Sequence, residues 1–444
     1  MKRKIGLYFR VGIEMGNFIL SGLANDLQKK GFEVIILTSQ KNHFFDKMLK
    51  RYGLKQINID FLDLDNQKRH NIEKYFLASR RARLRLNGFR TFAYWNDTPK
   101  KRFKDYLIGN RLVYEFFRFF TFRKLDKQYY NQKLVNFFKK EHFTDIVLQT
   151  YAMPQNMAIA INAKNNGLKV WLMNWGWKDF YINEWVPFMP DKFFVWSQYY
   201  KELYLKYNTH IDEKNIISVG NPNFDTHFGY TPKFDLEFYE QKYNISKNKK
   251  IFLYAMIHPD VYNDENVLIE GLLKVLSEKL PETHLVLKPN PMDKNLERYQ
   301  NILNRYNNVS MMENLWNFDK KTDFNLITQE AKDEWLDMIY HSYGMLSIPS
   351  TVAIESLILK KPVISIGYGA SIKDKELISR FANAEFYKPL FLRSDVVLSH
   401  TYEETCNFIE LIINNKINVS ESLERFIDEN GNATQQILCE IEKG

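Results

Sequence analysis

Cysteine is nearly absent: Cys406 and Cys439 are the only two in 444 residues. They are far apart, match no metal-ligand spacing and offer no disulfide framework, which suits a reducing compartment. Long apolar runs are also lacking. No window approaches the ~20 uncharged residues that a spanning helix needs. The opening MKRKIGLYFRVGIEMG starts basic, but Arg10 and Glu14 interrupt its apolar run. That excludes a signal-peptide reading and favours a first strand, so a cytoplasmic chain is expected. No GxGxxG follows this strand, which disfavours dinucleotide binding of that type. No internal repeat or low-complexity segment appears. One Asp-x-Asp, Asp63-Leu64-Asp65, lies in a polar stretch without a flanking strand and reads as chance. No metal site is predicted.

What is present is the composition of a globular chain, 45% apolar and 26% charged, long enough for two or three domains. The net charge of +9 is uneven. Between residues 68 and 140, twenty Lys and Arg stand against five acids, interleaved with aromatics in RRARLRLNGFRTFAYW and YEFFRFFTFRK. Three readings fit this region. A basic, ring-rich face can lie on an anionic membrane. The same ingredients can track phosphates and stack bases, although no nucleic-acid motif accompanies them and no nucleic-acid partner is expected. The third reading is a helical pair with aromatics in the core and arginines in water.

Along the chain, strands alternate with helices. KRKIGLYF (2–9), a loop holding Arg10 and Glu14, a helix capped by Asn17 over FILSGLANDLQKKG, and FEVIILT (32–38) form an opening βαβ unit. TDIVLQ (144–149), KVWLMN (169–174), DKFFVWS (191–197) and NIISV (215–219) follow as strands. Ligands bind at the carboxyl edge of such sheets. Arg10, the loop Trp175-Gly176-Trp177-Lys178, and Asn221 in GNPNFD are therefore candidates for the acceptor side. A second set opens with KIFLYA (250–255), followed by MIHPDVYNDE, a helix, HLVL (284–287) and the turn Lys288-Pro289-Asn290-Pro291. The tail from about residue 402 reads as helical to the end. The expected layout is an α/β chain of two Rossmann-like, doubly wound domains facing a cleft. The first spans 1–230, with the helical insertion at about 68–140. The second spans 231–420, and 421–444 is a C-terminal helix.

The most informative stretch is 344–368, GMLSIPSTVAIESLILKKPVISIGY. A short apolar strand, a Pro-Ser-Thr turn, a short helix stopped at Lys361-Pro362 and a second strand make a tight βαβ unit. Ser350 and Thr351 are placed to cap the helix, whose N-terminus offers N–H groups to a phosphate. Glu355 follows one turn on, where a carboxylate can accept hydrogen bonds from ribose hydroxyls. A solvent-facing Glu355 on an ordinary capped helix is the alternative.

Taken in order, PDKFFVWSQYYKELYL, IISVGNPNFD, LVLKPNP, DEWLDMIYHSY and SIPSTVAIESLILKKPVISIG resemble the two-domain glycosyltransferases of the GT-B fold. The resemblance is strongest to those of bacterial capsule and lipopolysaccharide synthesis. It extends to CDP-glycerol glycerophosphotransferases and UDP-N-acetylglucosamine 2-epimerases, and covers about 190–367. It implies that Lys288 and Pro291 match a Lys-x-His-Pro-like turn near the nucleotide, with Asn290 replacing the histidine. It also implies that Ser350 and Thr351 form the phosphate-binding turn and that Glu355 binds ribose. His258-Pro259 resembles the His-Pro of transferases using CMP-activated sugars. Retaining members carry a second glutamate eight positions before the ribose-binding one; here that position is Ser347, which points to inversion. Inversion needs a general base near the acceptor hydroxyl; Glu14 and Asp179 are the candidates, with His258 as a third catalytic group. The implied partners are a CMP-, UDP-, CDP- or GDP-linked sugar and a glycan or lipid-linked acceptor, at an anionic membrane surface on the inner face of the plasma membrane. No cofactor or metal is expected. The rival activities are transfer of a polyol phosphate from a CDP-linked donor, sugar-nucleotide epimerisation, and a non-enzymatic membrane scaffold.

Overall fold

The structure is a computed structural model. It describes residues 2–444 except 11–13, 40–42, 65–66, 87–98, 150–152, 175, 179, 182–184, 315–316 and 320–323. The chain divides into two compact units, 1–225 with 424–444, and 226–423.

The first unit holds seven parallel strands: β1 (Lys4–Phe9), β2 (Glu33–Thr38), β3 (Lys55–Asn58), β4 (Asp145–Leu148), β5 (Lys169–Met173), β6 (Lys192–Val195) and β7 (Ile216–Ser218). Their order, β3-β2-β1-β4-β5-β6-β7, reverses direction between β1 and β4. That reversal is the switch point of a doubly wound sheet, the place where ligands bind in such folds. The helices are α1 (Leu23–Lys29), α2 (His43–Arg51), α3 (Asn71–Leu86), α4 (Pro99–Ile108), α5 (Arg111–Tyr129), α6 (Gln132–Glu141), α7 (Pro154–Asn165) and α8 (Gln198–Tyr207). The basic aromatic region is thus the α3–α6 group.

The second unit repeats the plan. Strands β8 (Lys250–Ala255), β9 (Thr283–Lys288), β10 (Val309–Met311), β13 (Gly344–Ser347), β14 (Val363–Ile366) and β15 (Val396–Ser399) pair in parallel in the order β10-β9-β8-β13-β14-β15. An antiparallel hairpin, β11 (Asn317–Asp319) with β12 (Phe324–Leu326), stands apart from this sheet. The helices are α9 (Leu236–Lys242), α10 (Glu265–Lys279), α11 (Gln300–Arg305), α12 (Gln329–His341), α13 (Val352–Ile358), α14 (Ile372–Ala382) and α15 (Tyr402–Ile413). The strand alternation sorts two cores onto the two faces. Phe252, Tyr254, Leu285, Leu287 and Leu346 join α10 and α15 on one side. Ile251, Leu253, Val286 and Met345 join Trp335, Met338 and Ile339 of α12 on the other. Both faces are covered, which is why these strands read as continuous apolar runs.

Three expectations are corrected. Asn17 does not cap one long helix: Gly16–Leu20 is a π-helical turn, and Gly22, at φ +87°, breaks the chain before α1. Only a residue without a Cβ adopts that left-handed value at low cost. The tail is not helical throughout, because 414–432 is irregular before α16 (Ala433–Lys443). Nor does 421–444 stand alone. The carboxylate of Asp225 accepts the N–H groups of Ala433 and Thr434 at 2.9 and 2.8 Å, and Lys30 pairs with Glu442 at 3.1 Å. Asp225, the last residue of GNPNFD, therefore caps α16 and holds it to the first unit.

Candidate active site

In the second unit, the register places Lys288, Ala255 and Ser347 side by side at the carboxyl ends of β9, β8 and β13. This is the switch-point edge, and charged groups gather near it. The Trp335 indole N–H donates to Glu355 Oε2 at 2.7 Å, and His227 Nε2 lies 3.6 Å from the same oxygen. The Lys288 ammonium stands over the Trp335 ring, 4.8 Å from its centre. Four separate segments thus converge: the 3₁₀ turn Pro222–His227, the end of β9, α12 and α13.

Electrostatics follow from this packing. Burial acts to raise the Glu355 pKa, but His227, the Trp335 N–H and Lys288 outweigh it and hold the carboxyl below its ordinary value. Glu355 is therefore an anion at neutral pH. Burial lowers the Lys288 pKa, and Glu355 opposes that shift. The Trp335 hydrogen bond and the longer His227 approach both fall on Oε2. Among the described residues nothing donates to Oε1. A pre-oriented anion with one open oxygen can accept a pair of hydroxyls.

Ser350 and Thr351 lie in the turn between β13 and α13, but neither caps the helix. Thr351 has φ −64° and ψ −26° and makes no side-chain capping bond. A capping residue needs an extended backbone to turn its hydroxyl onto the helix N–H groups, and Thr351 is already helical. The first turn closes instead through backbone bonds, Ala353 N–H to Ser350 O and Ile354 N–H to Thr351 O. Ser347, the position of the missing second glutamate, is buried at the end of β13. Asn290 spends its side chain on its own turn, accepting Met292 N–H at 3.0 Å, with Pro291 between them.

The loop after β8 carries His258, whose Nδ1 accepts Asp260 N–H at 3.1 Å. That bond puts the proton of the neutral ring on Nε2. The loop is held by Glu265, fully buried at the start of α10, whose two oxygens accept Ile257 N–H at 3.0 and 3.1 Å. Burial pushes the Glu265 carboxyl up to about 8. Arg298 ties the same loop to the one after β9, bonding Asn263 and, at 2.6 Å, Asp293. The lead-in chain of this unit is anchored by buried Asp337, which accepts from Tyr230, Lys233, Phe234 and Tyr239 at 2.6–3.0 Å.

The other candidates belong to the first unit. Glu14 is buried, and its Oε2 accepts Arg10 N–H at 2.5 Å. Trp177 is buried against Phe426, so it is not an exposed stacking platform. Lys178 is half-buried, and burial lowers its pKa to about 8. Asn221 folds onto its own turn, accepting Asn223 N–H at 3.0 Å, beside Gly220 at φ +89°. Trp175, Asp179 and Asp65 lie outside the described residues. His227 and Trp335 were missed. Trp335 lies inside DEWLDMIYHSY and His227 two residues past GNPNFD, but neither directly follows a strand, the position at which sheet-edge ligand groups are expected.

Comparison with known proteins is consistent with this picture. Residues 235–372, about a third of the chain, match the family of capsule polysaccharide biosynthesis proteins. A processive diacylglycerol beta-glucosyltransferase of Bacillus subtilis (strain 168) is 27% identical over 183 residues, 38% of this chain and 44% of the relative. The match thus spans under half of that relative's length. Among solved structures, the UDP-GlcNAc 2-epimerase of Neisseria meningitidis bound to UDP-GlcNAc superposes with a TM-score of 0.57 at 13% identity, covering 99% of this chain and 100% of the other. A glycosyltransferase of Rickettsia africae gives 0.50 at 15%, covering 100% and 98%. The protein has the GT-B fold, and its residues 235–372 are similar to the capsule polysaccharide biosynthesis family.

Proposed function

We propose that this chain is a glycosyltransferase that moves a sugar from a nucleotide-activated donor to a surface-glycan or lipid-linked acceptor on the cytoplasmic side of the membrane. The observation that carries the reading is the convergence of His227, Lys288 and Trp335 on Glu355, which leaves Oε1 open. In this reading Glu355 accepts the ribose hydroxyls. Lys288 and the Ser350–Thr351 turn take the phosphates, and the lysine stabilises the negative charge that develops as the nucleotide departs. Pro291 lines the same edge. The capsule family match and the glucosyltransferase relative support transfer, and the relative's diacylglycerol substrate supports a lipid-linked acceptor. The donor base stays open among CMP, UDP, CDP and GDP; the epimerase bound to UDP-GlcNAc favours uridine first.

The reaction is proposed to invert the anomeric centre, since Ser347 stands where a retaining enzyme has its second glutamate, and to need no divalent cation. The base comes from the first unit, with Glu14 ahead of Asp179; Arg10, Trp175, Lys178 and Asn221 serve the acceptor. Isothermal titration of the four nucleotides into wild type and Glu355→Ala tests the donor site. One nucleotide is expected to bind wild type and to lose about 100-fold in affinity, ~2.7 kcal/mol, in the variant. Binding by none of the four would overturn the reading. Transfer unaffected by EDTA and an inverted product anomer, read by NMR, are the further expected results.

A second reading rests on His258. With Nδ1 engaged, its Nε2 is available to exchange a proton at a reacting phosphate, as transfer of a polyol phosphate from a CDP-linked donor requires. Release of CMP from such a donor, abolished by His258→Ala, would favour it. Interconversion of UDP-GlcNAc without acceptor would favour epimerisation. Unchanged surface glycan in cells carrying Glu355→Ala would favour a non-enzymatic scaffold.

A further inference from the structure

The α4–α5 pair presents two different faces. Its inner face is ordinary core: Thr121, Leu125 and Tyr129 are buried, and Phe122 meets Trp185 edge-on at 5.7 Å. Gly109, between the helices, sits so tightly on α3 that an added Cβ would lie 2.9 Å from Arg83 N. The Arg85 guanidinium holds the buried Asp105 carboxylate through two hydrogen bonds. The pair is therefore firmly seated. Its outer face is not what a solvated helix pair shows. Phe103, Tyr106 and Leu107 form one stripe along α4, at i, i+3 and i+4. Leu112, Phe116 and Phe119 form another along α5, at i, i+4 and i+7. All six side chains are between 52% and 80% exposed. Single exposed rings are common, but two aligned stripes on adjoining helices mark a contact surface.

The charge around the stripes identifies the partner. From 99 to 129 there are nine Lys and Arg against three acids. Two of those acids are neutralised in place, Asp105 by Arg85 and Glu115 by Arg118 at 3.0 Å. Lys100, Lys104, Arg111 and Arg123 are exposed beside the rings, and Arg123 stands over Phe119 at 5.1 Å from its centre. A second copy docking through the same face would set these cations against each other. No described helix is long and apolar enough to cross a membrane.

We propose that the outer face of α4–α5 is a docking surface for an anionic lipid bilayer, with the six apolar side chains at headgroup depth and the cations on lipid phosphates. Rings of this kind settle into the interface, and each Lys or Arg near an anionic surface strengthens binding roughly five-fold. This surface lies in the first unit and does not depend on the donor site, so the two readings fail separately.

The test is co-sedimentation of the full chain with vesicles of phosphatidylcholine alone or with about a third phosphatidylglycerol, at low and at about 0.5 M salt. Wild type is expected to partition onto the anionic vesicles at least about ten-fold better than onto the neutral ones, and to be released by salt. The triple variant Leu112→Ser/Phe116→Ser/Phe119→Ser and the charge variant Arg111→Glu/Arg123→Glu are each expected to lose about ten-fold or more, with unchanged circular dichroism and Tm because the altered side chains are exposed. The proposal is overturned if anionic vesicles do not bind wild type, or if both variants bind as well as wild type. It is equally overturned if the serine variant alters only self-association in sedimentation velocity, or if RNA displaces vesicles and binds in their place.

Discussion

The first loops of the two sheets are built alike. In the first unit the loop after β1 is held by Glu14, which accepts Arg10 N–H. In the second the loop after β8 is held by Glu265, which accepts Ile257 N–H. Both carboxyls are buried, and both strands lie at the reversal of a doubly wound sheet. The units differ in what else stands at the edge. The second has a further acid, Glu355, oriented by His227 and Trp335 with one oxygen open. In the first, Glu14 combines a scaffolding bond with its candidacy as the base. A buried glutamate on a backbone N–H is thus a shared structural device of these loops, and its presence alone does not make a base.

Glu14→Gln separates the two roles most sharply. The amide keeps an oxygen for Arg10 N–H but cannot take a proton. If Glu14 is the base, the transfer rate should fall about 1,000-fold with Tm unchanged. A rate within a few-fold of wild type would confine Glu14 to scaffolding. Asp337→Ala should cost about 3 kcal/mol in urea unfolding, because its four donors lose one buried acceptor together. An effect below ~1 kcal/mol would mean that water replaces the carboxylate at little cost.

His227→Ala should weaken the nucleotide about ten-fold, ~1.4 kcal/mol, and raise the Glu355 pKa, which is visible as earlier loss of binding on acidification. Binding with an unshifted acid limb would show that Trp335 alone orients the carboxylate.

The smallest effect is expected at Glu265. Its folded pKa of about 8 lies above the 4.5 of an ordinary glutamate, so proton uptake favours the fold. That contribution is complete below pH 4.5 and is lost as pH rises to about 8. Glu265→Gln, which never ionises, should therefore gain stability relative to wild type by about 1 kcal/mol per pH unit within this window, read by thermal unfolding at pH 5 and pH 6. A constant difference at both pH values would show that the loop anchor of the second unit does not titrate as argued. The same experiment on Glu14→Gln would show whether the two anchors share that behaviour.

Much of the fold was legible in the chain. The runs IFLYA, HLVL and GMLS read as strands because parallel strands covered on both faces need no polar alternation. The tight βαβ at 344–368 was legible because Pro362 ends its helix. The π-helical turn after β1 was not, since Gly22 alone does not announce a break inside an apolar pattern. The absence of a cap at Thr351 was not legible, because capping depends on a backbone angle that residue type does not reveal. The membrane and core readings of the aromatic helices could not be separated either. Phe116 and Phe122 belong to the same run, and only packing against α3 and Trp185 turns one outward and the other inward.

Local pattern determined the two α/β units, the switch-point loops and the candidacy of Glu355, Lys288 and Glu14, because these depend on apolar runs, turn residues and spacing along one stretch of chain. Tertiary structure alone decided that His227 and Trp335 orient Glu355, that Asp225 recruits α16 to the first unit, and that the rings of α4–α5 face outward. These are contacts between segments from twenty to more than two hundred residues apart, or choices between the two faces of one helix. Residue identity specifies what a side chain can bond, and only the folded chain brings a partner within reach.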